Sequence, residues 1–284
     1  MKRLLTMTIS LLLIMPTAYA SEVVAAGDLC PAGSPGHCAE TSQTALSLGP
    51  DAVLTLGDNQ YDTGTLAEFM GSYDKAWGGL KSITYPQAGN HEWESGLVGY
   101  RKYFNDPRFY TDGNSWYSYD LGDWHIVSLD SECAKIGGCN VGAPENTWLA
   151  NDLANDTHAC TLAYFHRPLF ASTKTGSGTS KVRPLWKLLV ADGTELLLNG
   201  HRHNYERFAA QDELGNATPN GMVEFIIGTG GKSMNPFGII APNSVARVRA
   251  YGVGDFMLNS GAWSMEFIDT SGTTLDSAAG TCLA

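Results

Sequence analysis

Positive charge is scarce in this sequence. Lysine and arginine together number 18 against 29 aspartates and glutamates, a formal net charge of −11, which argues against nucleic acid or an anionic membrane surface as a partner. Long apolar runs are missing after the first twenty residues, so no membrane anchor is expected in the body of the chain. No cysteine pair has the CxxC spacing of a thiolate zinc site. The sequence also lacks internal repeats, low-complexity tracts and any stretch that reads as a linker. Histidine is sparse too, at seven residues, which makes each position informative.

The N-terminus is where charge and hydropathy change character. Lys2 and Arg3 precede an apolar run from Leu4 to Met15, and Ala18-Tyr19-Ala20 precedes Ser21. A charged start, a short hydrophobic middle and a small-x-small site predict an export signal over residues 1–20, removed after Ala20. Ser21 is not the cysteine that bacterial lipid attachment requires. Loss of Lys2 and Arg3 would take the formal charge from −11 by two more, to −13. The expected location is secreted or periplasmic, with residues 21–284 as a single domain large enough for its own core.

Six cysteines, an even number, in an exported chain predict three disulfides. The short separations favour Cys30–Cys38 and Cys133–Cys139 as loop staples, leaving Cys160–Cys282 to fasten the C-terminus, although sequence alone leaves other pairings open.

Hydrophobic patterning predicts strands at Glu22–Ala26, Ala52–Leu56, Ile83–Ala88, Thr161–Phe165 and Glu195–Leu198. Helices are expected over Ala39–Leu48, Thr65–Tyr73, Glu145–Asn155 and Val182–Val190. A hairpin should form from Trp116–Leu121 and Trp124–Leu129 around Gly122-Asp123. Gly200–Arg207 reads as a polar loop. The tail carries strands at Val223–Ile227, Ala262–Ile268 and Thr274–Ser277 without helices between them, so an alternating α/β first part should run into an antiparallel end.

The polar residues that follow these strands are unusual. Strand ends present Asp28; Asp58 with Tyr61; Asn90 with His91; His166; and His201 with His203. Any one of these has an ordinary reading, since Asp-Asn after a strand also makes a hydrogen-bonded turn. Together, carboxylate, imidazole, phenol and amide oxygen are the donors that hold two hard or borderline cations side by side. In His201-Arg202-His203, alternate residues of an extended loop would aim both imidazoles the same way. His37, His125 and His158 fall outside these clusters and read as structural.

Five blocks in this order, Gly27-Asp28, Gly57-Asp58 with Tyr61, Gly89-Asn90-His91-Glu92, His166, and Gly200-His201-x-His203-x-Tyr205-Glu206-Arg207, resemble the calcineurin-like metallophosphoesterases. Tyr61 points to their purple acid phosphatase branch, because other members carry a histidine two residues after the first aspartate, where this chain has Cys30. The resemblance implies an α/β (α+β) fold, a two-sheet β-sandwich flanked by helices with metals at the strand ends. It implies one cation held by Asp28, Asp58, Tyr61 and His203, and another by Asp58, Asn90, His166 and His201. A phenolate suits Fe(III), with Zn(II), Mn(II) or Fe(II) as the partner ion.

The activity so implied is hydrolysis of phosphate monoesters on a small phosphate-ester substrate. Cations about 4 Å apart lower the pKa of a bound water, so that hydroxide attacks phosphorus in line. His91, oriented by Glu92, is the expected proton donor to the leaving group. Tyr205, Glu206 and Arg207 are expected to support the ligands or meet the substrate. The chain departs from the branch after His166: the second substrate-side histidine is replaced by Ala171-Ser172-Thr173-Lys174-Thr175-Gly176. Arg167, Lys174 and Lys181 are then the cations available to the phosphate, and an acidic pH optimum does not carry over. No domain is expected ahead of the first block. Two alternatives use the same residues: a phosphodiesterase acting on nucleotide or lipid diesters, and a non-catalytic, disulfide-stapled binding module.

Overall fold

The computed structural model describes residues 20–33, 36–109, 113–174 and 178–283. The predicted export signal, residues 1–20, lies almost wholly outside them. Two sheets carry the chain. One has the order β13-β12-β11-β1-β2-β3 and the other β10-β8-β9-β7-β6-β5-β4. The first is built from β1 (Ser21–Ala26), β2 (Ala52–Leu56), β3 (Thr84–Gln87), β11 (Gly252–Asn259), β12 (Ala262–Asp269) and β13 (Thr274–Thr281). The second holds β4 (Tyr117–Leu121), β5 (Trp124–Ser128), β6 (Cys160–Tyr164), β7 (Leu196–Asn199), β8 (Tyr205–Phe208), β9 (Val223–Ile227) and β10 (Ser244–Val248).

Strand alternation explains how the layers form. Val23, Ala25, Leu54 and Leu56 point inward against Ile126, Leu162, Leu198 and Phe225 of the other sheet. Their neighbours Val24, Ala26 and Val53 point outward, onto helices α1 (Gly36–Leu48) and α3 (Asp74–Trp77). Val127, Ala163 and Leu197 do the same beneath α6 (Pro144–Asn155) and α7 (Arg183–Asp192). The result is a two-sheet sandwich with helices on both outer faces, as expected. Strands covered on both faces are mostly apolar, which is why β1, β2, β6 and β7 read as near-continuous hydrophobic runs. β1, β2 and β3 are parallel, as are β5, β6, β7 and β9; β11, β12 and β13 are antiparallel.

Several boundaries differ from the sequence reading, for identifiable reasons. The helix expected over Thr65–Tyr73 begins as α2 (Leu66–Glu68) behind a Thr65–Glu68 capping box and passes through a π-turn, Phe69–Tyr73, into α3. In that turn the Tyr73 N–H donates to the Gln60 side chain (3.0 Å). Two short helices, α4 (Asn90–Trp93) and α5 (Val98–Phe104), span too few residues for apolar periodicity to mark a helix. Gly200–Arg207 is not all loop, since Tyr205–Phe208 is β8, paired on both edges. β10 and β11 carry no strong apolar pattern. In β11 a side chain at Gly254 would lie 2.7 Å from Ile227 of the facing sheet, and one at Gly252 2.3 Å from the Ile268 carbonyl, so glycine stands where backbones and layers approach.

Disulfides join Cys30–Cys38, Cys133–Cys139 and Cys160–Cys282, with Cα–Cα distances of 5.1, 5.2 and 5.3 Å. No helix among the described residues is long and apolar enough to cross a membrane.

Candidate metal centre

The parallel strands of both sheets deliver their polar residues to one edge. Asp28, Asp58, His166 and His201 each stand two residues past the end of β1, β2, β6 and β7, and Asn90 opens α4 just after β3. This carboxyl edge is where open α/β sheets place their sites. Asp28 (φ 57°), Asp58 (51°), His201 (70°) and His203 (47°) all adopt left-handed backbone conformations. Each such residue costs on the order of 1–3 kcal/mol, a cost that clusters at functional positions. The His201–His203 segment is therefore kinked and not the extended loop expected from its alternating histidines.

Glycines make room for the donors. A Cβ at Gly89 would fall 2.2 Å from Asp58 Oδ1, at Gly228 2.5 Å from Asp28 Oδ2, and at Gly57 2.6 Å from His166 Nδ1. No larger residue fits at those positions without displacing a donor.

Two sets of atoms result. In the first, Tyr61 Oη lies 2.9 Å from Asp28 Oδ1, 3.0 Å from Asp58 Oδ2 and 3.2 Å from His203 Nε2, which is itself 3.3 Å from Asp28 Oδ1. The second contains Asp58 Oδ2 and His166 Nε2, 3.2 Å apart, and His201 Nδ1 at 3.2 Å from His166 Nε2. Asp58, His166 and His201 form a group able to hold a metal ion. Asp58 Oδ2 belongs to both sets. Asn90 Oδ1, on the adjacent turn, is buried without a hydrogen-bond partner, the condition of an acceptor that awaits a cation.

The imidazoles are aimed by backbone carbonyls. His166 Nδ1 donates to Leu56 O (2.8 Å) and His203 Nδ1 to Ser233 O (2.9 Å), which leaves each Nε2 lone pair facing a carboxylate. His201 differs, since Arg167 donates to its Nε2 at 2.9 Å. A cation at Nδ1 would require the proton on Nε2, and two donors would then face each other. Loading would thus release the Arg167 guanidinium.

Electrostatics agree with a cation-binding role. Burial would raise the Asp58 carboxyl, but His166 holds it well below the usual range; burial opposes and Asp58 outweighs it to push His166 up to about 9. Burial, then the Asp28 and Asp58 charges, push the Tyr61 phenol far above its ordinary value. Only a strongly acidic cation could displace its proton there. The unpartnered amide oxygen, the glycine cradle and the donor chemistry all fit two metal ions.

Other predicted residues divide. His91 lies at the rim, its ring 30 % exposed, with Nε2 3.9 Å from Asp58 Oδ2 and Nδ1 against the Asp62 carbonyl. Its backbone N–H donates to Asp58 Oδ1 (2.9 Å). Glu92 does not orient His91. Fully buried, it accepts from the backbone of Gly89 (2.8 Å) and Gln60 (3.0 Å), pinning the turns that carry Asn90 and Tyr61. Tyr205 and Arg207 both engage Asp276 of β13, so they join the two sheets instead of lining the site. Glu206 accepts from the Ser172 backbone and from the Ser172 and Ser244 hydroxyls. It thereby fixes the 171–173 loop, one wall of a cavity of about 460 Å³ that Arg202 and Asn204, the chain neighbours of His201 and His203, also line. Lys174 and Arg202 line that cavity, whereas Lys181 is exposed on a single turn outside its lining. Thr175 and Gly176 lie outside the described residues. Arg202, between the two histidines, escaped the sequence reading because nothing local separates it from a solvated cation.

A buried acid pair also went unpredicted. Glu132 and Ser131 hold Arg167, and Asp130 holds their turn by accepting from the Glu132 backbone (2.8 Å), the Trp93 indole (3.0 Å) and Ser115. The Asp130 backbone donates to the fully buried Glu145. Burial pushes Asp130 up to about 6, and burial and the Asp130 charge push Glu145 well above its ordinary value. Raised carboxyls stabilise the fold below their unfolded values near about 4 and lose that contribution as pH rises through the folded ones. Glu145→Gln should therefore raise the melting temperature at pH 8, by roughly 2–4 °C for about 1 kcal/mol, and by less at pH 4. Equal gains at both pH values in calorimetry would refute this origin.

A two-layer sandwich with these donors at its parallel strand ends defines the calcineurin-like metallophosphoesterase class. Residues 22–205 match the calcineurin-like phosphoesterase family model, and the chain belongs to that family, in its purple acid phosphatase-like branch. It is 30% identical over 238 residues to human acid phosphatase type 7, covering 71% of this chain and 53% of the relative. It is 27% identical over 282 residues to rat tartrate-resistant acid phosphatase type 5, covering 83% and 80%. The chain spans about half the length of several relatives it matches. Among solved structures, purple acid phosphatase PPD1 from yellow lupin superposes with a TM-score of 0.80 at 19% identity, covering 93% of this chain and 54% of that one. GAP50, described as the anchor in the inner membrane complex of Plasmodium, shares the fold at a TM-score of 0.68 and 13% identity, covering 93% and 90%.

Proposed function

We propose that this protein is an exported, dinuclear-metal phosphatase that hydrolyses monoesters of small organic phosphates. The observation that carries the reading is the pair of donor sets meeting at Asp58 Oδ2. Asp28, Asp58, Tyr61 and His203 would hold one cation, Fe(III) by the phenol's demand. Asp58, Asn90, His166 and His201 would hold the other, Zn(II), Mn(II) or Fe(II). Two such ions, when bound, polarise phosphoryl oxygens, acidify water and offset the charge that builds at phosphorus.

The chain's own groups do the rest. His91, its Nδ1 anchored on the Asp62 carbonyl, keeps Nε2 free to give a proton to the departing oxygen. Arg167, released from His201, and Arg202 with Lys174 at the cavity wall neutralise and orient the phosphate. Three disulfides support export to an oxidising compartment.

The purified protein should turn over p-nitrophenyl phosphate faster than bis(p-nitrophenyl) phosphate. Preference for the diester would identify a phosphodiesterase, and a metal-loaded protein inert on both would identify a binding module. Tyr61→Phe should bleach a visible phenolate-to-metal charge-transfer band. Colour surviving in that variant would exclude Tyr61 as the ferric ligand.

A further inference from the structure

A second cluster of metal-binding side chains lies at the opposite edge of the second sheet. Asp120 and His125 are cross-strand partners at the closed end of the β4–β5 hairpin. Asp156 and His158 stand in the turn between α6 and β6, next to the start of β6, which pairs with the start of β5. Sequence gave no reason to join them, because each pair looks like an ordinary turn or strand.

Their donor atoms close a ring. His125 Nδ1 lies 3.0 Å from Asp120 Oδ1 and 3.9 Å from Asp156 Oδ1; His158 Nδ1 lies 3.8 Å from Asp120 Oδ1 and 2.6 Å from Asp156 Oδ1. All four atoms fall within 4.8 Å of one another. Donors at the ~2.0–2.2 Å bond lengths of tetrahedral zinc stand ~3.3–3.6 Å apart, and these separations bracket that value. Both imidazoles contribute the same nitrogen, and their rings run nearly parallel, 16° between planes.

The far nitrogen of His125 is also held in place. His125 Nε2 meets Asp152 Oδ2 at 3.0 Å, and Asp152 Oδ1 accepts from Ser118 Oγ at 2.7 Å. A carboxylate on the far nitrogen of a histidine fixes its tautomer and aims the other lone pair at a metal. Asp120, Asp152 and Asp156 together supply more negative charge than two imidazoles can offset. The cluster opens into a cleft of about 450 Å³, so an ion and its water have an entry path.

We infer that Asp120, His125, Asp156 and His158 form a distal site for a divalent cation of the Zn(II) class, with Asp152 as the residue that orients His125. The ion would tie the β4–β5 hairpin to the turn ahead of β6, beside the Cys160–Cys282 disulfide. Since the donors sit at the amino edge of the parallel strands, the site is separate from the centre at the carboxyl edge.

Metal content decides the question. Full-length protein is loaded with Zn(II), freed of excess by dialysis and counted for zinc per chain by plasma mass spectrometry. His158→Ala and Asp120→Asn should each bind one equivalent fewer than the wild type. Asp58→Ala, which disrupts the other centre, should keep this one. Asp120 is 59% exposed and asparagine matches its size, so a deficit there reports a lost ligand and not a lost fold. In Co(II)-loaded protein, a four-coordinate visible band should be present in the wild type and absent in His158→Ala. Equal zinc counts in the wild type and both variants, or an unchanged cobalt band, would overturn the inference and leave a plain histidine–carboxylate ion-pair network.

Discussion

Asp58→Ala is expected to abolish phosphatase activity, with turnover falling by at least about 10³-fold, and to strip metal from both positions at once. The other donors belong to one set each, but Asp58 Oδ2 lies within 3.0 Å of Tyr61 Oη and 3.2 Å of His166 Nε2. Asp58 Oδ1 also accepts the His91 backbone N–H. The substitution therefore removes the carboxylate common to both sets, the charge facing His166 Nε2, and the acceptor that anchors the His91 backbone. His203→Ala should behave differently, weakening only the set with Tyr61. Metal analysis beside p-nitrophenyl phosphate kinetics tests both. An Asp58→Ala protein that retained two metals per chain would refute the shared-ligand reading.

His91→Ala is the second large effect, and it should depend on the leaving group. A positioned general acid contributes about 10²- to 10⁴-fold when the departing oxygen needs a proton. Alkyl phosphates should lose activity on that scale, whereas p-nitrophenyl phosphate, whose phenolate leaves without help, should lose far less. The ring stacks obliquely on Tyr61, with centroids 4.2 Å apart, so the variant also opens a gap over the phenol. A uniform loss across leaving groups would mean that His91 supports packing and not proton transfer.

How much of this was legible depended on what surrounds each element. β1, β2, β6 and β7 are covered on both faces, so their apolar runs announced them, and each is followed by a polar donor that the interior would not otherwise tolerate. The candidate donors could be picked out because they sit at fixed offsets from those runs. β8 was hidden because Glu206 and Arg207 break its pattern, and their partners Ser172, Ser244 and Asp276 are distant in sequence. Glu92 was given the wrong neighbour: adjacency suggested His91, whereas its carboxylate turns inward to backbone N–H groups. Arg202, the Asp130–Glu145 pair and the Asp120–His158 cluster were invisible, since each is defined only by contacts across the fold. The disulfides form the pairing that loop length favoured.

β1 lies between β2, its parallel neighbour, and β11, which pairs with it antiparallel from Ser21↔Leu258 to Ala25↔Gly254. The strand that supplies Asp28 is thus synthesised well before β11 and is completed only when that later strand arrives. Until β11 arrives, one edge of β1 presents unpaired backbone N–H and C=O groups, a template for strand addition by any other chain. Joining β1 to β11 across so long a stretch of sequence is a high-contact-order step and a slow one. A ribosome-bound or C-terminally clipped chain would therefore be vulnerable to aggregation at the same strand on which its chemistry is built.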